Sequence, residues 1–195
     1  QDYTALFALT DKALYRGKTK GRNCYIIYVE EKHKDISIKA LANRGIYNTF
    51  CDLAAQFDSQ PGLDGKMKAM LEILKMDMRI SDLYYVGRDN HFKNVSAGAS
   101  LGQVYDLDKL TEDGIYTTNE IKNIKPKSIS MYELCRKNTF ETVLIVKIGM
   151  QNETFGYLVC AEPRSLRIWQ DNEDAIMFFM TRMLAGYMKT SGERI

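Results

Sequence analysis

Two runs near the end of the chain restrict its fold more than any other feature. Residues 142–148 and 154–161 are almost wholly apolar and rich in β-branched residues, and they are joined through Gly149-Met-Gln-Asn-Glu153. Runs of that length and composition, bounded by a connection containing Gly and Asn, predict a hairpin of two buried strands. A helix is predicted after them, capped by Asp171 or Asn172, with Glu173 and Asp174 complementing the positive end of its dipole. Ile176, Phe179, Met180, Met183, Leu184 and Tyr187 fall at i, i+3, i+4, i+7, i+8 and i+11, one apolar stripe. Met177, Phe178 and Met188 widen that stripe, so this helix is expected to be buried on two sides: by the sheet, and by a second helix or a second copy of the chain.

Upstream the period is helical. Ile46, Phe50, Leu53, Ala54 and Phe57 make one stripe that Pro61-Gly62 breaks, and Met67, Met70, Leu71 and Leu74 make a second. Residues 82–86 and 92–97 then read as strands around the turn Gly87-Arg-Asp-Asn90, which places His91 in the turn and in solvent. From 98 to 136 the pattern is irregular, with short helical pieces expected near 118–124 and 130–136. Helix, helix, hairpin, insert, hairpin, helix predicts an α+β domain, an antiparallel sheet flanked by helices. The first thirty residues read as a further helix, with Ala5, Leu6, Leu9 and Ala13 on one face, and a strand over 24–29. That pair is too small to bury both its faces, so residues 1–30 are expected to be the end of another domain, 31–40 a charged linker and 41–190 the α+β domain. With Gln1 in place of an initiator Met and no secretory signal, the chain is expected to be a piece of a longer one.

Composition excludes several classes. Lys plus Arg at 27 against Asp plus Glu at 25 gives a net charge of +2 with no basic stripe, which argues against a nucleic-acid partner. Runs such as 175–180 fall far short of the ~18 apolar residues a membrane helix needs. Cys24, Cys51, Cys135 and Cys160 form no CxxC pair and there are only two His, so no metal site, no disulfide framework and no cofactor is expected, and the thiols are expected to be buried in a reducing cytoplasm. No pairing of His with Ser or Cys, and no pair of carboxylates, forms a catalytic motif; Glu30-Glu31 and Glu173-Asp174 fit surface roles.

The segment Asp11-Lys-Ala-Leu-Tyr-Arg-Gly-Lys-Thr-Lys-Gly-Arg-Asn23 resembles the C-terminal end of GGDEF domains, the catalytic domains of bacterial diguanylate cyclases. Asp11, Ala13, Leu14, Tyr15, Lys18, Gly21, Arg22 and Asn23 match the family's D-x-A-L-Y-x-A-K-x-x-G-R-N, and Gly17 stands where the family has Ala. The resemblance implies that Lys18 and Arg22 correspond to residues reaching the phosphates of GTP. The signature loop, its Mg-binding carboxylates and the guanine pocket are not in this sequence, so GTP and Mg would belong to a parent cyclase domain if that domain is active, and no catalysis is expected of this piece alone.

Residues 41–189 resemble a GAF domain in length and order of elements, best at Glu141-Thr-Val-Leu-Ile-Val-Lys-Ile148, Phe155-Gly-Tyr-Leu-Val-Cys160 and Trp169-Gln-Asp-Asn-Glu-Asp174. A PAS domain shares much of the pattern but seldom closes with so long a helix. The GAF resemblance implies a sensory domain holding an unidentified small ligand between sheet and insert, with Tyr84, Val86, Tyr116, Ile121, Met131, Tyr132, Cys135 and Phe140 lining the pocket; the same side chains would equally fill a core. The cyclic-nucleotide signature of phosphodiesterase GAF domains is absent. Cys135, the only thiol of the insert, lacks the neighbouring His of a bilin site, and His91 is a poor haem ligand in a solvent-exposed turn. Two functions follow: a sensor coupling a ligand to cyclic di-GMP synthesis, or a ligand-free module that forms a homodimer through its terminal helix and the helix over 46–57.

Overall fold

A computed structural model of the chain describes residues 9, 10, 13, 27, 29, 46–150, 153–163 and 167–195. The chain divides into two compact units, Gln1–Arg44 and Gly45–Ile195. In the first, Leu9, Thr10 and Ala13 are helical, while Ile27 and Val29, the described residues of the expected strand, are in no regular element. The rest of the GGDEF-like segment, Lys18 and Arg22 included, and the expected linker lie outside the described residues.

The second unit opens with α1 (Ile46–Ser59) and α2 (Gly62–Asp77). The α1 stripe buries Leu53 and Phe57, and Thr49 donates to the Asp77 carboxylate at 2.7 Å, fastening the start of α1 to the end of α2. Pro61 caps α2 in an extended conformation and Gly62, at φ +68°, makes the turn between the helices.

Six strands follow: β1 (Leu83–Val86), β2 (His91–Asn94), β3 (Ser100–Gln103), β4 (Ile115–Thr118), β5 (Thr142–Met150) and β6 (Glu153–Glu162). They form one antiparallel sheet in the order β3-β2-β1-β6-β5-β4. The predicted hairpins are β1–β2 and β5–β6; in the first, Asn90 adopts φ +59° and donates its amide to Gly87 O at 3.1 Å. The insert departs from expectation. Residues 100–103 and 115–118 are edge strands, α3 (Leu107–Leu110) lies between them, and the helix expected near 118–124 is the end of β4 followed by a single 3-10 turn, Ile121–Asn123. The helix α4 (Ile129–Lys137) lies where a short helix was expected.

The last helix, α5 (Asp171–Ser191), is capped by Gln170 rather than by Asp171 or Asn172, because Gln170 and Glu173 exchange hydrogen bonds in a capping box. It is buried on two sides, one against β5 and β6, the other against the first two helices. Phe50 and Phe179 approach to 4.6 Å between ring centroids, and Phe57 meets Tyr187 edge-on at 6.0 Å. The sheet thus separates two apolar clusters. On the helix side lie Leu144, Val146, Ile148, Leu158 and Cys160 with the buried faces of α1, α2 and α5. On the other side Val143, Ile145, Val159 and Ala161 meet the insert. Strand alternation assigns these faces, except at Phe155. There Ile148 pairs with Gly156 and Gly149 with Thr154, so Phe155 is a bulge residue turned into the helix-side cluster.

Candidate functional site

All eight residues expected at the ligand face converge on the insert side of the sheet. Tyr84 and Val86 come from β1, Tyr116 from β4, Ile121 from the 3-10 turn, Met131, Tyr132 and Cys135 from α4, and Phe140 from the approach to β5. Tyr84, Val86, Met131, Cys135 and Phe140 are buried; Tyr116, Ile121 and Tyr132 are half-buried at the border of the cluster. The centre is aromatic. Tyr84 stacks on Phe92 at 4.8 Å and meets Phe140 edge-on at 5.4 Å. At the border the Tyr132 ring lies 5.5 Å from the Lys125 ammonium and 5.8 Å from the Arg136 guanidinium.

Local polar contacts hold this arrangement. Ser128 caps α4 by accepting the Met131 amide at 3.2 Å, and its hydroxyl donates to Tyr105 O at 2.6 Å, which ties α4 to the chain leaving β3. Asp82 accepts from the Leu83 amide at 2.8 Å, from the Ser96 hydroxyl at 2.7 Å and from the Asn94 side chain. Burial holds the Tyr84 phenol above its ordinary value; the nearby Asp82 charge adds to this, and a hydrogen bond with Asn94 opposes it. Burial likewise raises Tyr116, opposed by Thr118.

Three expectations are corrected. Glu173, expected in a surface role, is buried, because its carboxylate accepts the Gln170 amide and pairs with the Arg167 guanidinium. His91 is not in the turn: it begins β2, is half-buried, and its Nδ1 lies 2.9 Å from Ser100 Oγ while its Nε2 lies 3.3 Å from the Gln103 side-chain nitrogen. It faces the edge strand β3, whose pairing draws the residue after the turn into the sheet. Cys51 is exposed, because it falls off the buried stripe of α1. Cys135 and Cys160 are free and buried, and burial pushes the Cys135 thiol up to about 12. A thiol in that state is not a nucleophile near neutral pH. Among the described residues no three His, Cys, Asp or Glu side chains gather where a metal could be held. No described helix is long and apolar enough to cross a membrane.

Sequence reasoning missed part of the cluster: Phe92, Val104, Leu107, Leu110 and Ile124 are all buried in it. Phe92 was legible as the apolar partner of Val86 across the β1–β2 hairpin, on the same face as Tyr84, since an odd number of residues separates it from each of them. The others stand singly among polar residues and carry no period. A separate open groove of about 220 Å³, lined by Gly114, Lys147, Glu153, Phe178 and Arg182 among others, contains none of the eight expected residues.

An antiparallel sheet with helices on one face and an insert on the other is a layered α+β architecture. No family model matches the sequence, and neither does any curated protein. Solved structures do match. The GAF domain of an Acinetobacter phosphoenolpyruvate-protein phosphotransferase is similar at a TM-score of 0.59 and 11% identity, over 75% of this chain and 93% of that one. The phycoerythrobilin-bound GAF domain of a cyanobacterial phytochrome is similar at 0.57 and 12%, over 75% and 95%. Free methionine-R-sulfoxide reductase from Neisseria meningitidis, in complex with its substrate, is similar at 0.57 and 9%, over 75% and 90%. Residues 45–195 have the GAF fold.

Proposed function

We propose that residues 45–195 are a regulatory domain of a bacterial GGDEF-family signalling protein. In this reading the domain binds a small ligand on the insert face of the sheet and couples it to cyclic di-GMP synthesis by a cyclase domain preceding it. The observation that supports sensing is the convergence of the eight residues into one aromatic-lined cluster with Tyr116, Ile121 and Tyr132 half-exposed at its border. Apolar walls with a few polar groups at the rim suit a ligand with an apolar body and a polar end. Two of the solved structures that share the fold carry a small molecule, phycoerythrobilin in one and a substrate in the other. The link to GTP chemistry is supported by the match of residues 11–23 to the end of GGDEF domains, and it makes Lys18 and Arg22 the phosphate-facing residues of the parent cyclase. Coupling requires that the ligand bind one arrangement of the parent better than another by ~1–3 kcal/mol.

The second reading is a ligand-free homodimerisation module, supported by apolar surface on the outer helices: Tyr47 is 73% exposed and Phe178 42% exposed. Thermal-shift measurements against a metabolite panel distinguish the two. A sensor melts about 2.7 kcal/mol more stably at a ligand concentration a hundred times its Kd, whereas a dimeriser responds only to protein concentration. If no metabolite moves the melting temperature and dilution does, the sensing reading fails.

A further inference from the structure

The chain that leaves α5 does not run into solvent. Gly192, at φ +78°, ends the helix, its amide donating to Met188 O at 3.2 Å, and residues 193–195 turn back across the edge of the domain. Glu193 accepts the Leu63 amide at 2.9 Å and the Tyr187 hydroxyl. Arg194 donates to Met188 O at 2.6 Å and lies 5.0 Å over the ring of Phe155, the bulge residue of β6. Ile195 packs against the helix-side cluster and occupies a notch made by two glycines. A Cβ at Gly87 would fall 2.1 Å from Ile195 O, and one at Gly156 would fall 2.7 Å from its Cδ1. Four residues therefore bridge the start of α2, the bulge of β6 and the end of β1.

Two features make the bridge releasable. Glu193 and Arg194 are exposed, and solvated polar and charged contacts are individually weak, so one apolar side chain supplies most of the hold. The notch also adjoins the ligand face directly, because Gly87 follows Val86, a member of the insert-side cluster. A shift of that cluster moves the end of β1, and with it the wall against which Ile195 rests.

We propose that residues 192–195 are a latch tying the exit of α5 to β1, β6 and α2, and that the packing of the insert-side cluster sets how much of the time it is closed. The regulatory meaning rests on the reading of that cluster as the sensing face; the test needs no ligand, so failure of the latch and failure of the thermal-shift screen are separate results.

The Leu63 amide is the reporter. As a first-turn amide of α2 it has no intrahelical acceptor, so its protection from exchange depends on Glu193. Amide hydrogen exchange by NMR on the whole chain should show Leu63 protected. Gly87→Ala should speed its exchange by about ten-fold or more with the core Leu74 amide unchanged, and Gly186→Ala, where an added Cβ meets nothing within 4 Å, should leave it alone. Ile195→Ala, which leaves the sheet untouched, gives the same readout if Gly87→Ala does not fold. Phe140→Leu should also speed Leu63 exchange through the cluster. An unprotected Leu63 amide, or one indifferent to Gly87→Ala and Ile195→Ala, overturns the latch. Indifference to Phe140→Leu overturns its control by the cluster.

Discussion

Phe140→Ala measures whether the insert face is packed tightly enough to act as a wall. Phe140 is 7% exposed, with its ring 5.4 Å from Tyr84 and 6.5 Å from Phe92. Truncating a Phe in such a setting removes its transfer free energy and leaves a cavity that its neighbours fill only in part, a loss of about 3–5 kcal/mol. Of that, the edge-to-face contact with Tyr84 accounts for about 0.5–1.5 kcal/mol, so a cycle with Tyr84→Leu should return a coupling in that range. Phe140→Leu keeps most of the apolar volume and should cost about 1–2 kcal/mol. Urea unfolding followed by tryptophan fluorescence suits the measurement, because the single Trp, Trp169, is buried in the other cluster and reports loss of the whole unit rather than of the insert. A loss below about 1.5 kcal/mol for Phe140→Ala would mean that the ring borders empty space rather than packing against Tyr84 and Phe92.

Three further predictions concern the charged and polar supports. Arg167 donates to Glu173 and, at 2.7 Å, to Met78 O, and its guanidinium lies 4.4 Å over the Trp169 ring; the two paired side chains are 15% and 10% exposed. Burial already holds Glu173 above the ordinary carboxylate value, opposed by Arg167, so Arg167→Met should cost about 3 kcal/mol at pH 7. A carboxyl whose folded pKa is raised destabilises only where it must ionise, so that deficit should shrink as pH falls through the raised pKa toward the ordinary value, and urea unfolding at pH 7 and at about pH 4.5 checks it. With Cys24, outside the described residues, replaced by Ser, a thiol reagent at about pH 8 should modify Cys51 within minutes and reach Cys135 and Cys160, both raised by burial, only on unfolding. Ser128→Ala removes the α4 cap and leaves Tyr105 O without a donor from it, so it should lose about 1–2 kcal/mol in the same urea assay.

The parts of the fold that can be read from sequence are those whose burial imposes a period. The stripes of α1, α2 and α5 and the apolar runs of β5 and β6 each face a core that selects every third or fourth, or every consecutive, residue. The edge strands have no such constraint. β3 is Ser-Leu-Gly-Gln and β4 is Ile-Tyr-Thr-Thr, each four residues paired on one side only, and their exposed positions are free to be polar. The eight candidate residues were legible as a set only through the resemblance to a GAF domain, which implies a ligand between sheet and insert; their apolar and aromatic character alone fits a core equally well. The notch for Ile195 was not, since it arises from Gly87 and Gly156 lying opposite one another across β1 and β6, where Val86 pairs with Tyr157. The bulge at Phe155 has a trace in sequence, glycines at 149 and 156 flanking a strand interior, but the pairing shift that turns Phe155 over depends on the partner strand.

That bulge decides how the two faces of the sheet can communicate. In a regular strand, neighbours alternate between faces, and a displacement on one face reaches the other only by moving the whole strand. At Phe155 the alternation breaks: Phe155 belongs to the helix side and Tyr157 to the insert side, with the side-chain-free Gly156 between them. Val86 O lies against Gly156 on β1, and Arg194 covers Phe155. The end of the β1–β6 ladder is therefore where the insert-side cluster, the helix-side cluster and the exit of α5 come within one residue of each other. A displacement of the insert-side cluster that reaches the helices by local rearrangement has its shortest route there.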